Sequence, residues 1–373
     1  MQQPKKIAII GAGVAGLAFA LLACRQGHKV QVFERKRLDA QMGAGVTLWP
    51  NATFVLAKMD LLSAIEARSG KPGWMRRISP DNNEMTALPI AELKQLSGFP
   101  SLTILRQDLM AVLIEACKQA NIALTDNQPI DQSRLAMLRQ HYDLVIGADG
   151  RMQSAARYYV APHARPVYQG FINIIGISHY HQQTFSPSAI LDYCGDGQRF
   201  GIVPVSDTCA YWAAAWQMPL GDIDAPAFAL PRLKARFAHW PAAVQFMQEY
   251  AEPQSIRSIF VHDLDPLPCW YRQNVLLIGD AAHASLPTSG QGACQALEDA
   301  WHLAECMTAI PDTQSLLQQF QLRRQDKTGR IQLSGRALAN LIFNPATANT
   351  QAGLVKQSLQ DIVSVWMSGL PIS

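Results

Sequence analysis

Gly11, Gly13 and Gly16 fall in a Gly-x-Gly-x-x-Gly spacing directly after the apolar run Ile7-Ala8-Ile9-Ile10. Glu34 follows a second apolar run, Val30-Gln31-Val32-Phe33. Strand, glycine turn, helix, strand and acid in that order form a receptor for the pyrophosphate of a dinucleotide. The first glycine permits the sharp turn, the second lets phosphate approach the backbone, and the third lets helix pack on strand. The helix start offers unpaired N–H groups and a partial positive charge, and Glu34 stands where ribose hydroxyls would donate. This unit alone does not separate NAD from FAD. A second set of residues lies near the other end of the chain. Asn274-Val275-Leu276-Leu277-Ile278 reads as a buried strand that delivers Asp280, and a loop then leads to Gly290-Gln291-Gly292 at a helix start. Asp280 could accept from a ribityl hydroxyl, and N–H groups near Gly292 could hold a partly negative ring edge. One long dinucleotide spanning both is the economical explanation.

The elements that must position these residues are legible in outline. The stretch Ile7–Cys24 is uncharged and follows Lys5 and Lys6, so a signal peptide or membrane span competes with the nucleotide reading. It is a little short of the roughly 20 apolar residues a span needs. Its glycines, each costing about 1 kcal/mol in a helix interior, sit where a signal helix should be strongest. Read as an internal strand, turn and helix, it leaves no targeting segment, and the cytoplasm is the default location.

The chain has 373 residues, 49% of them hydrophobic and 16% charged, and a net charge of +3. That suits two or three globular domains with a large core and gives no case for nucleic-acid binding. The seven cysteines form no CxxC pair. They read as structural thiols of a reducing compartment, and no metal site is expected.

Gly43–Ala52 reads as a glycine-rich loop entering a helix that Asn51 could cap, and 71–99 as loop with short strands. A helix starts at about Leu105 and runs to about Lys118, and Tyr142–Ile146 is a buried strand before Gly147-Ala148-Asp149-Gly150. Arg199–Val205 and Cys209–Trp216 alternate as antiparallel strands do, and 226–250 is helical. The tail carries Leu354, Val355, Leu359, Ile362, Val363 and Trp366 at helical spacing, a packing face.

GAGVAG, Glu34-Arg35, Arg106, GADG at Gly147–Gly150 and GDAAHASLPTSGQGACQALEDA, in this order and spacing, resemble the group A FAD-dependent aromatic monooxygenases. The similarity is closest to their salicylate-hydroxylase-like and urate-hydroxylase-like branch, and it covers about residues 5–340. It implies an α/β fold: a Rossmann-like FAD-binding domain with an inserted α+β substrate domain on an antiparallel sheet, plus C-terminal helices. The implied division is 1–165 and 269–340 for FAD, 166–268 for substrate and 341–373 for a helical tail.

It further implies that Gly11, Gly13, Ala15 and Gly16 line the pyrophosphate and that Glu34 holds the adenosine ribose, with Arg35 beside it. Arg106 and Asp280 would hold the ribityl-pyrophosphate region, and Gly45 and Val46 would lie along the flavin. Gly290, Gln291, Gly292 and Ala293 would present backbone to the ring's pyrimidine edge. Pro287 would sit near the reactive face, no catalytic side chain being named. Asp149 would serve FAD and the route for NADH or NADPH. The competing reading of Arg106 is a surface salt-bridge residue, with the flavin role favoured by the resemblance, and His283 reads as structural.

The activity implied is insertion of one oxygen atom of O2 into a small aromatic or heteroaromatic substrate, through a flavin C4a-(hydro)peroxide, by a monomer or homodimer without a membrane span. The pocket would lie between the 166–216 sheet and the flavin, with Phe200, Ile202, Val203, Tyr211, Trp212 and Leu286 as candidate lining, apolar and aromatic as a planar substrate requires, although any single one of them reads first as plain core.

The chain departs from the family pattern in DGRMQSAAR, where Ser154 and Arg157 arrive one residue late. It also has Ile174-Ile175 where relatives carry Trp-Arg, so no cationic substrate anchor is evident. Competing readings are oxidation or epoxidation of an antibiotic or polyene, and a non-catalytic binder of FAD or of a reactive intermediate. A flavin halogenase ranks below these, because its Trp-x-Trp-x-Ile-Pro element is missing.

Overall fold

The computed structural model describes residues 3–39, 43–181, 188–221, 226–344 and 358–371. Two sheets organise it. The first has six strands in the order Tyr271–Arg272, Val275–Leu277, Leu144–Gly147, Lys6–Ile10, Lys29–Phe33 and Ala123–Thr125. All neighbours are parallel except the antiparallel edge pair Tyr271–Arg272 with Val275–Leu277. Ile7–Ile10, Leu144–Ile146 and Val275–Leu277 are buried throughout, as strands covered by helices on both faces must be. The helix Val14–Arg25 starts at Gly13, buries every residue from Val14 to Ala23, and packs on the helix Gly292–Ala309. The apolar opening stretch is therefore the inside of this layer. No helix among the described residues is long and apolar enough to cross a membrane.

The second sheet has seven strands: Arg257–Asp263, Val167–His179, Cys209–Gln217, Gln198–Ser206, Ala189–Gly195, Trp74–Ile78 and Glu84–Leu88. It is antiparallel except where Ala189–Gly195 runs parallel to Trp74–Ile78. The stretch 71–99 thus contributes the last two strands at one side of a sheet otherwise built from 167–263. Side chains alternate across a strand. One face carries Ile172, Ile174, Phe200, Ile202, Trp212 and Trp216 against Phe237, just after the helix Pro226–Arg236, and Met247 of the helix Ala242–Glu249. From the other face Ile177, Val203 and Tyr211 join the core of the first sheet. An antiparallel ribbon, Gly45–Leu48 with Leu102–Leu105, lies between the sheets.

Two local expectations change. Trp49, not Asn51, is the N-cap of the helix Pro50–Lys58; Asn51 lies inside it, fully buried, with its carboxamide turned to the protein interior. The tail helix is Leu359–Trp366, started by a Ser358–Asp361 capping box, with Ile362 and Val363 buried. Leu354 and Val355 lie outside the described residues. All seven cysteines are free.

Candidate active site

In an open parallel sheet, ligands bind beyond the carboxyl ends of the strands. Here those ends deliver Gly11, Glu34, Asp149 and Asp280 to one edge. Gly11 has φ +105°, and a Cβ there would fall 2.3 Å from the Ala148 carbonyl oxygen. A Cβ at Gly16 would fall 2.0 Å from the Gly11 carbonyl oxygen. Nothing lies within 4 Å of a Cβ built at Gly13, which opens onto a cavity of about 730 Å³. Gly11, Gly13, Glu34, Arg35, Arg106 and Asp149 all line that cavity. Glu34 accepts from the Ala12 N–H (2.8 Å) and the Lys36 N–H (3.0 Å), fixing the glycine turn. Ala15 packs on Gly279, where an added Cβ would sit 2.9 Å from its own, so the two glycine motifs touch.

Arg106 opens the helix Arg106–Gln119. Burial pushes its guanidinium down from the ordinary value, and Asp280 opposes this. Its backbone N–H is bound to Ala44, while no side-chain hydrogen bond ties the guanidinium to the described residues, as suits a ligand anion. Asp149 is pushed up by burial, against a hydrogen bond from Ser154 and one from the Ala156 N–H. Ser154 also caps the helix Ala155–Val160 by accepting from the Arg157 N–H. The buried Arg157 donates to the Gly150 (3.0 Å) and Ala281 (3.3 Å) carbonyls. Ser154 and Arg157 are thus committed to holding the Asp149 turn against the Asp280 motif.

Asp280 is exposed at the start of the helix Asp280–His283, and Pro287 is exposed in the turn before Gly290. His283 is spent on the interior: its Nε2 meets Asp299 at 2.6 Å and its ring packs on Trp270. Asp299 also accepts from the Gly279 N–H (2.7 Å) and Arg324 (2.8 Å). Burial opposes its charge, but His283 and Arg324 prevail and hold it well below the usual carboxylate range. The neighbouring Glu298 accepts from Asn51, Gln295, Arg324 and Lys327. Gln291 takes Asn51 and Gln295 on its Oε1 (2.9 and 3.1 Å), and its buried Nε2 has no partner among the described residues. An orphan donor there and an open cradle at Gly13 are the fit expected for a long dinucleotide. Gly292 and Ala293 are half-buried at the start of the helix Gly292–Ala309.

The substrate side needs correction. Phe200 and Ile202, like Trp212, are fully buried on the sheet face that packs against the helices 226–249. The strand alternation that buries them points them away from the cofactor edge. Tyr211 lies on the facing side. Its hydroxyl bonds Thr47 Oγ1 at 3.0 Å, and its ring fills the space above Gly45, where a Cβ would meet it at 2.1 Å. Val46 is half-buried beside it. Leu286 is buried with Phe171, Cys194, Ala215 and Phe343 at the end of the same face. Between these, Ile175, Ala213 and Gly201 register side by side and are only half-buried. The row ends on Asp192 and Arg77.

This charged end escaped the sequence reading. Asp192 is buried between Arg77 (2.9 Å) and Arg199 (2.5 Å). Burial opposes its charge, yet Arg199 and Arg77 hold its carboxyl below the usual range. Two guanidiniums on one carboxylate leave a net positive charge on the face where no cationic anchor was expected. The available signal was Arg199 at an inward position of an apolar strand.

The FAD binding domain family matches residues 5–330. The chain is 30% identical over 333 residues to an aurachin C monooxygenase/isomerase of Stigmatella aurantiaca, covering 86% of this chain and 85% of that protein. It is 30% identical over 355 residues to a 3-amino-4-hydroxybenzoate 2-monooxygenase of Streptomyces cremeus, covering 91% and 88%. In fold it resembles Klebsiella pneumoniae HpxO complexed with FAD and uric acid, with TM-score 0.81 and 23% identity over 92% of this chain and 90% of that one. The chain belongs to the FAD binding domain family and is an FAD-dependent monooxygenase.

Proposed function

We propose that the protein hydroxylates a small, electron-rich aromatic or heteroaromatic compound, using O2 and NADH or NADPH. The observation that carries this reading is the convergence of Gly13, Glu34, Arg106 and Asp149 on one cavity at the carboxyl edge of the parallel sheet. Bound FAD would supply the redox chemistry: two-electron reduction by the nicotinamide and activation of O2, with one oxygen atom going to the substrate and the other leaving as water.

The chain's own residues bind and orient. Gly11, Gly13, Ala15 and Gly16 receive the pyrophosphate, and Glu34 the adenosine ribose with Arg35 at the rim. Arg106 and Asp280 hold the ribityl-pyrophosphate region. Val46 and the loop Gly290, Gln291, Gly292 and Ala293 hold the ring, with Pro287 on its reactive side. The buried faces of Tyr211 and Leu286 exclude water. A planar substrate rests on Ala213 and Gly201 and turns its electron-rich or anionic edge to Arg199. The names of the relatives, acting on 3-amino-4-hydroxybenzoate or complexed with uric acid, support this class.

The test is anaerobic bleaching of the flavin's blue absorbance by NADPH and by NADH, with and without urate, 3-amino-4-hydroxybenzoate and simple phenols. Bleaching accelerated by one compound identifies the substrate class. A yellow protein that neither nicotinamide bleaches sinks the NAD(P)H reading.

A further inference from the structure

We propose that the C-terminal helix, Leu359–Trp366, is a working part of the cofactor site: through Trp366, Trp49 and Lys327 it holds the Gly290–Gln291 loop in the geometry that receives the flavin. The proposal rests on the reading that this loop meets the flavin ring.

Two separate chains of contacts lead from the helix to the loop. The Trp366 ring lies on the Trp49 ring, 4.7 Å between centroids. Trp49 in turn donates its indole N–H to the Gly290 carbonyl at 3.0 Å. Gly290 sits at φ +62°, a left-handed position whose carbonyl direction sets the next peptide. The second chain is electrostatic. Lys327, buried on the long helix Thr313–Phe343, donates to the Trp366 (2.6 Å) and Ser368 (3.0 Å) carbonyls. A cation at these last carbonyls is the favourable end of a helix for it. The same ammonium pairs with Glu298 at 2.7 Å.

Glu298 then dictates how Gln291 stands. A carboxylate only accepts, so Asn51 and Gln295 must both turn their NH2 groups toward it. Those same groups meet Gln291 Oε1, so the Gln291 carboxamide cannot flip without facing donor to donor. Its Nε2 has no partner among the described residues, and Gln291 is only 1% exposed. A buried donor without an acceptor is costly, and the carbonyl-bearing edge of an isoalloxazine ring offers acceptors. The terminal helix therefore braces the Gly290 peptide through Trp49, and it reaches the Gln291 network through Lys327 and Glu298, which Arg324 also holds. A plain packing role is already met by Ile362, Val363, Met367 and Leu370, which are buried in the core. Trp366 and the Lys327 contacts are what point at the loop.

The experiment uses the full chain, stripped of flavin and titrated with FAD. It reads the dissociation constant from flavin fluorescence quenching, the bound flavin's absorbance spectrum, and the thermal midpoint of the apoprotein. Trp49→Phe removes the indole N–H and leaves a smaller aromatic ring against Trp366. It should weaken FAD binding about fivefold, the worth of one neutral hydrogen bond, and shift the bound flavin's spectrum, while the smaller ring at this buried site also lowers the apoprotein midpoint. Trp366→Leu should do the same or more, and Trp366→Phe should restore binding. Gly290→Ala, strained at a positive φ, is the reference for the loop itself. If Gly290→Ala weakens binding while Trp49→Phe and Trp366→Leu keep wild-type affinity and spectrum, the brace is refuted and the flavin-contacting loop stands. If Gly290→Ala also binds FAD normally, the loop reading falls and takes the brace with it.

Discussion

Gly11 and Gly13 are two residues apart and answer to different constraints. Gly11 is held by the protein: its φ is positive and a Cβ would overlap the Ala148 carbonyl. Gly13 is constrained by nothing in the fold, since its φ is −81° and no atom lies within 4 Å of an added Cβ. Substitutions should therefore separate stability from binding. Gly11→Ala should lower the apoprotein's thermal midpoint by several degrees, a loss of roughly 1–3 kcal/mol for a strained backbone site. Gly13→Val should leave the apoprotein midpoint near wild type and cost FAD affinity 100-fold or more, because its side chain occupies the room where phosphate meets backbone. Calorimetry and flavin titration on the two variants check both halves. A Gly13→Val protein with normal FAD affinity would remove the pyrophosphate from this turn.

At the level of elements, the buried ion network joins the helices Gly292–Ala309 and Thr313–Phe343 behind the Asp280 motif, and His302 lies beside it. Burial pushes the His302 imidazole down to about 3, with Arg324 adding to the effect and Asp299 opposing it. Its folded pKa lies below the unfolded value of about 6.5, so the unfolded chain binds this proton first. Stability is then fullest above about pH 6.5 and falls as pH drops from there toward 3, by at most about 1.4 kcal/mol per pH unit for one proton. His302→Gln should remove that slope. Urea unfolding at pH 7, 6 and 5 would show it, and parallel pH dependences in variant and wild type would place the acid sensitivity elsewhere.

The same scale shows what was legible beforehand. The glycine turns, Glu34, Asp280 and the helices after them could be read because each turn demands particular residues at fixed spacing. The alternation of Arg199–Val205 was equally plain, but alternation defines two faces without saying which one meets the cofactor. Phe200 and Ile202 look like pocket residues by type, and packing against Phe237 sends them to the far side. Arg77, Asp192 and Arg199 come from three strands whose pairing is set only by the folded sheet. Trp49 and Trp366 are farther apart still.

For the whole molecule, the question is whether the two sheets behave as one body. Ile177, Val203 and Tyr211 of the second sheet share a core with Ile7 of the first and with Leu17 of the helix packed on it, so a single cooperative transition is expected. The tightest junction is Tyr211 over Gly45, with the Tyr211–Thr47 hydrogen bond beside it. Gly45→Ala should push ring and ribbon apart and cost about 1–3 kcal/mol, as overpacking does. Tyr211→Ala should cost about 3–5 kcal/mol through the cavity it leaves and the bond it loses. The double variant should cost clearly less than the sum, because the clash disappears when the ring is gone. Urea unfolding of all four proteins measures this coupling. Additive costs would mean that the ribbon and the substrate sheet are not braced against each other at Gly45. A coupling of about 1 kcal/mol or more would mean that the Tyr211 ring and the Gly45–Leu48 strand are held by one another, so that a displacement of the ring is felt by the strand.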